Sequence, residues 1–465
     1  MMKKTIVILA ALISLQAAAQ EVRLTLEECR QMALSQSSQA VNARLDIQAA
    51  QLLRQEALAE YFPRISVMSL GFHSLDPMIK IGLKDLLGNN DLSNNLQTLV
   101  DSYATMYGFS PYYSALQSAY GASVSVMQPI YAGGRIVTGN RLATLGVEAA
   151  TLKQKVQERK SREDTDELFW QVISLEEKQR TLDGFVQLLD TLCKDAGAAY
   201  GAGLMTENDL LQARLKRNEL RTAGVKIRNG IRLSRMNLFN AIGQDYCIVQ
   251  GAASADKPYI DSIMLDGQEG ELPPPENFYI DEEKVAASME EVRLLELNVE
   301  SKRLEKRMAM GSTLPQLAVG ATYGYSRTIG EGNFNGAAFA TLQIPLSDWW
   351  KTSRKLRRLQ LEVDKSESDR ALMDKQILLL VRKSWLDLGA AWEEYCLSAE
   401  SVQMAGNSLK SSRSHFDAGL VPMSELLQAQ ASLQQALDAQ TDARTSYLKA
   451  LRTWQDISYL CSSEN

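Results

Sequence analysis

The chain has 465 residues, 45% of them apolar, and carries a net charge of −6. No basic field is available to hold a phosphate backbone, which argues against a nucleic-acid partner. Its five cysteines are scattered without a CxxC pair, and two histidines, His73 and His415, are too few for histidine-based metal binding or catalysis. No cofactor, no metal and no enzymatic activity are expected.

The first residues, MMKKTIVILAALISLQAAAQ, have the order of a secretory signal: Lys3 and Lys4, an apolar run from Thr5 to Leu15, then Ala17-Ala18-Ala19. The expected signal peptide is 1–19, with the mature chain starting at about Gln20. The run is too short for the roughly 20 residues of a spanning helix. Losing Lys3 and Lys4 takes the charge from −6 to −8. No later segment reads as a transmembrane helix, and QILLLV (376–381) is closed by Arg382-Lys383. An exported chain of this kind is either soluble or enters a membrane as β-strands.

A helical stretch from Leu26 to Tyr61 comes next, followed by two strand-like runs, RISVMSLGF (64–72) and YGASVSVMQPI (120–130). The segment between them, about 72–119, is rich in Asn, Ser, Gly and Tyr and reads as an enlarged surface loop. From Arg135 to Ala199 there is no proline, which predicts one helix of roughly 100 Å. Its apolar seam is broken at QERKSREDTDE (157–167), for which the sequence offers no reason. Gly203 predicts a tight turn, with Thr206 capping a returning helix over Leu204–Ile242. Residues 244–280 have the turns and prolines of an irregular segment.

The plan then repeats. A helix is expected over Asp281–Met310, strands over 316–326 and 337–346, and a proline-free helix over Lys351–His415. In that helix Leu378, Val381, Trp385, Leu388, Trp392, Tyr395, Ala399 and Val402 form a heptad seam. YGAGLMTENDLLQA (200–213) returns as FDAGLVPMSELLQA (416–429), with seven of fourteen positions identical. Ser424 is expected to cap the second return. Phe62-Pro63-Arg64-Ile65 pairs with Leu314-Pro315-Gln316-Leu317 at an offset of 252, against 216 for the tips, so the first copy holds 36 extra residues. The domain reading is 20–243 for the first repeat, 244–280 for the irregular segment and 281–465 for the second repeat.

LTLEECRQMAL, FPRISV, LPQLAV, MQPIYAGGR and the paired GL…DLLQA and GL…ELLQA tips, in this order and spacing, resemble the TolC-type outer-membrane factors. These are the exit ducts of bacterial efflux pumps and type I secretion systems. The resemblance implies a mostly α fold with β, internally duplicated. Long coiled-coil helices would form an α-barrel continuous with four strands per protomer in a trimeric twelve-stranded outer-membrane barrel. It places the helices in the periplasm and the irregular segment at an equatorial belt. Its implied partners are two further copies (a homotrimer), a periplasmic adaptor, an inner-membrane pump and outer-membrane lipid.

The resemblance also implies sites. Gly203, Leu204, Gly419 and Leu420 would be adaptor-binding tips. Asp209, Glu425 and Gln428 would stand at the periplasmic gate, with simple helix capping the alternative for the two acids. Gln428 replaces an acidic residue of other members, and Phe416 replaces a linking tyrosine. The chain departs from its first copy at Ser347-Asp348-Trp349-Trp350-Lys351, where Gly133-Gly134 becomes two tryptophans. Trp349 and Trp350 would sit at the lipid headgroups or pack on a neighbouring protomer. YGAGL lacks the third glycine and the Lys of a phosphate loop. The sixteen methionines read as core filler rather than a metal path. A passive duct and a non-conducting coiled-coil surface protein both remain open from the sequence.

Overall fold

The computed structural model describes residues 22–115, 117–249, 257–267, 270, 272–327, 331–345 and 348–462. The signal-peptide expectation for 1–19 lies outside the described residues. Two compact units are present, and each draws on both sequence repeats. One comprises Gln51–Gly146 and Glu300–Ser366, the other Met1–Ala50, Val147–Val299 and Glu367–Asn465.

The first unit is built on an antiparallel sheet in the order β2-β5-β7-β8, where β2 is Arg64–His73, β5 Ser118–Ala132, β7 Gln316–Arg327 and β8 Asn333–Gln343. Val67 opposes Val124, Val124 opposes Tyr323, and Leu317 opposes Leu342. Successive side chains of a strand point to opposite faces. One face therefore carries Ile65, Val67, Val124, Val126, Val319 and Tyr323, all exposed. The other carries Ser66, Ser123, Ser125, Gly320, Thr322 and Gly324 together with Met68, Leu70, Phe72, Met127 and Phe339, and the Ser66 and Ser125 hydroxyls meet at 2.9 Å. Along the middle of β5 and β7 apolar side chains thus alternate with small or polar ones, the pattern of a strand between lipid and a wet lumen.

Gly133, just after β5, has φ 63°, and a Cβ there would lie 2.0 Å from the Gly311 carbonyl oxygen. That close approach of two chains gives the Gly133-Gly134 motif its local reason.

Residues 74–117, expected as a loop, carry regular structure instead. A short hairpin, β3 (Ile79–Ile81) with β4 (Tyr113–Ala115), accompanies two helices, α3 (Leu83–Leu87) and α4 (Asp91–Tyr107). The Asn- and Ser-rich composition hid a helical period in Leu92, Leu96, Leu99 and Tyr103.

In the second unit the chain opens with β1 (Val22–Thr25), which pairs in parallel with β6 (Ile263–Asp266) of the segment expected to be irregular. Thr25 then caps α1 (Leu26–Gln36) in a capping box with Glu28. The expected single helix 26–61 is two, α1 and α2 (Ser38–Ala59), parted by Ser37 in extended conformation. Its counterpart is likewise two, α7 (Glu282–Ser288) and α8 (Glu290–Gly311), parted by Met289. Ser37 and Met289 stand at the same 252 offset as the proline landmarks.

The long helices are α5 (Arg135–Gly201) and α9 (Asp348–Asp417), and the returning ones α6 (Glu207–Ile242) and α10 (Met423–Ser462). Val381 and Leu388 of the predicted seam are fully buried, packed with Tyr447, Leu451 and Trp454 of α10. Phe169, Trp170 and Val172 of α5 pack with Phe239 and Ile242 of α6 and with Leu24, Ile260 and Ile263. Cys29 and Cys193 are buried free thiols, as small apolar side chains would be.

Candidate functional site

The two hairpin tips are built alike, hydrogen bond for hydrogen bond. Gly203 N donates to Tyr200 O at 2.9 Å and Leu204 N to Ala199 O at 2.9 Å. Gly419 N donates to Phe416 O and Leu420 N to His415 O, again both at 2.9 Å. This paired closure of a helix end requires a left-handed residue, and Gly203 (φ 73°) and Gly419 (φ 70°) supply it. Open space surrounds both positions, so the backbone angle alone demands glycine there. Leu204 is 83% exposed and Leu420 73%. Below them, Leu189, Leu192 and Ala196 of α5 pack with Leu210 and Ala213 of α6 and with Met423, Leu426 and Leu427 of α10. The sequence that repeats is therefore the turn plus the first buried turn of the returning helix.

The acids beneath the tips differ from each other. Thr206 caps α6 by accepting from Asp209 N at 3.2 Å, and its hydroxyl donates to Asp209 Oδ2 at 2.6 Å. Asp209 thus serves the cap of its own helix. The second copy has no such cap: α10 starts at Met423, which puts Ser424 inside the helix and overturns its expected capping role. Pro422 replaces the capping threonine there, and its missing N–H suits the start of a helix. Glu425 and Gln428 are both exposed, and among the described residues the Glu425 side chain has no hydrogen-bond or ion-pair partner.

The polar stretch 157–167 acquires its reason from its neighbours. Arg30 Nε donates to Asp166 Oδ1 at 2.7 Å, and Arg30 also reaches Asp456 of α10 at 3.2 Å. Arg159 pairs with Glu290 at 3.0 Å and with Glu291. Ser161 and Gln157 both donate to Gln39 Oε1 at 3.2 Å. Arg159, Ser161, Thr165 and Asp166 are buried. α5 is polar here because it faces the two interruptions at Ser37 and Met289, where backbone and charged side chains replace an apolar stripe. Burial raises the Asp166 carboxyl above its ordinary range despite Arg30, and burial likewise raises Glu163.

Trp350 is almost wholly exposed at the start of α9, while the side chain of Trp349 lies outside the described residues. No described helix is long and apolar enough to cross a membrane. Among the described residues no cluster of three His, Cys, Asp or Glu is arranged to hold a metal ion.

Residues 283–456 match the family model described as outer membrane efflux protein. The fold is shared with VceC, an outer membrane protein of Vibrio cholerae, at 14% identity and a TM-score of 0.69, covering 94% of this chain and 95% of that one. The CmeC outer membrane channel of Campylobacter jejuni is similar at 12% identity and a TM-score of 0.73, covering 93% of this chain and 85% of that one. The MtrE outer membrane channel of Neisseria gonorrhoeae, solved in an open state, gives 13% identity and a TM-score of 0.59, covering 93% and 88%. No curated protein matches.

Residues 283–456 carry the match to the outer membrane efflux protein family, and the chain shares the fold of these outer membrane channels.

Proposed function

We propose that three copies of this chain close one twelve-stranded barrel in the outer membrane and form a passive exit duct. One observation carries this reading: the four-stranded sheet ends on β2 and β8, two unpaired edges, while one of its faces is apolar. Unpaired backbone groups are not tolerated in lipid, so the edges must pair with other copies. Four strands are also too few to close around a lumen, and three sets of four reach the size of small barrels. Exposed leucines of α9 at heptad spacing, Leu372, Leu379 and Leu386, give each copy an apolar stripe for its neighbour.

In this reading the helices extend into the periplasm and an inner-membrane pump supplies the energy. Gly203, Leu204, Gly419 and Leu420 dock the helical hairpins of a periplasmic adaptor. An apolar side chain at the tip of a turn has no core to join and suits a partner's groove. Asp209, Glu425 and Gln428 lie within two helical turns of the tips and sense that docking at the closed mouth. Trp350, with Trp349, sits at the headgroup level, where indole rings are favoured.

Native mass measurement in detergent tests the assembly, and single-channel conductance in planar bilayers tests the duct. A stable monomer rules out the shared barrel, and a trimer without conductance turns the protein into a coiled-coil surface structure.

A further inference from the structure

The insert of residues 74–117 joins β2 to β5 at the strand ends opposite those that continue into helices. Its two ends are held together, with Ser74 N donating to Gln117 O at 2.8 Å. Within it, α4 packs its polar side inward. Ser93 and Gln97 are buried with Ala104. The Ser93 hydroxyl bonds Asn90 O at 2.8 Å, and Gln97 accepts from Lys84 N at 3.3 Å.

The apolar side of α4 is left outside. Leu92, Leu96, Leu99, Tyr103, Met106 and Tyr107 fall within roughly 100° of the helix circumference. All six are exposed, Leu92 by 70% and Met106 by 76%. A third face, with Asn94, Thr98, Asp101 and Thr105, is polar. A helix that buries Ser and Gln while showing water a continuous Leu-Tyr-Met stripe is missing a neighbour.

We propose that this neighbour is the same stripe of the other two copies, so that three α4 helices meet over the outer mouth of the barrel and plug it at rest. The inference rests on the trimeric reading above. Two observations choose this occupant over a lipid surface. Interfacial helices carry Lys and Arg on their polar face, whereas α4 contains neither and has Asp91 and Asp101 instead. And β2, from which the insert springs, is itself an edge strand, so the insert stands beside the seam where the next copy would pair. One barrel would hold three inserts at an effective concentration in the millimolar range, so contacts that are weak singly suffice. Such a plug is apolar and small, and it yields to cargo without breaking ion pairs.

The test uses the full chain in outer membranes, with a benzophenone amino acid placed at Leu99 or, as control, at Thr98 on the polar face. Illumination should link protomers at position 99 roughly tenfold more than at position 98, because the proposed contact faces only the apolar stripe. Equal yields, or adducts only to lipid or to another protein, overturn the proposal. Native mass of the same sample separates the failures: a trimer without the crosslink removes the plug alone, and a monomer removes the trimeric reading with it. Leu96→Asp with Leu99→Asp should leave the trimer mass unchanged and raise single-channel conductance at least about twofold, since charges cannot be desolvated in the plug. Unchanged conductance would also overturn it.

Discussion

Arg30 and Asp166, 136 residues apart, face each other as a buried pair, Nε to Oδ1 at 2.7 Å, with Asp456 as a second acceptor. The pair ties α1 to α5 and α10 beside the interruption at Ser37. Removing one partner of a buried pair leaves the other charge uncompensated, whereas replacing both by apolar groups is often neutral. Arg30→Met should therefore cost about 3–5 kcal/mol, and Arg30→Met with Asp166→Leu should restore most of it. Thermal unfolding of the full chain in detergent reads the cycle. Equal losses in the single and double variants would show that the pair is not the unit of stability here.

Glu163 and Asp166 predict an unusual pH response. Burial, ahead of the neighbouring charges, raises both carboxyls above their ordinary values. A raised acid binds protons more tightly in the folded chain, so its contribution is complete below its unfolded value and is lost as pH rises through the folded one. Stability from this cluster should increase as pH falls through the raised values towards the ordinary carboxylate range. Glu163→Gln should flatten that rise and raise the unfolding midpoint at pH 8. A variant with the parent's pH profile would assign the response elsewhere.

Gly243 and Gly203 share a left-handed backbone but not a neighbourhood. A Cβ at Gly243 would lie 2.6 Å from the Gln36 carbonyl oxygen, while one at Gly203 meets nothing. Gly203→Ala should cost about 1–2 kcal/mol, the strain of a left-handed alanine. Gly243→Ala should cost more than that, because α6 must also move away from the Ser37 interruption. Similar midpoints for the two variants would contradict the close approach.

The two acids below the tips should separate by phenotype. Asp209→Ala leaves the backbone cap on Thr206 but removes the acceptor of the Thr206 hydroxyl and a first-turn acid, at a cost of about 0.5–1 kcal/mol. Glu425→Ala should leave stability unchanged, since its side chain is exposed and has no partner among the described residues. If Glu425 stands at the closed mouth, Glu425→Ala should raise the conductance of the isolated channel. An effect on stability with none on conductance would make Glu425 a helix residue only.

Leu204→Asp with Leu420→Asp should leave folding and trimer mass intact, because both side chains already stand in water. If the tips dock an adaptor as proposed, export should fail, since a charge there must be desolvated on docking. Retained export with adaptor still bound would reduce the repeated motif to a pair of well-capped turns.

Much of this architecture was legible in the residues. Proline-free stretches marked α5 and α9, Gly203 and Gly419 marked the turns, and short β-branched or aromatic runs bounded by turn-rich segments marked β2, β5, β7 and β8. Each is a local property, in which a backbone angle or a period of two or 3.6 is written in consecutive residues. Tertiary structure decided the rest. Arg159, Ser161, Thr165 and Asp166 of the polar run 157–167 are buried because partners of the run, Arg30, Gln39, Glu290 and Glu291, arrive from more than a hundred residues away. Ser37 and Met289 interrupt helices that are locally continuous in pattern, and β1 became a strand only by finding β6. In α4 the period was present, but which side would be buried depended on α3 and on the hairpin beside it. A sequence reports which faces of an element differ in polarity; which face loses its water is set by what packs against it.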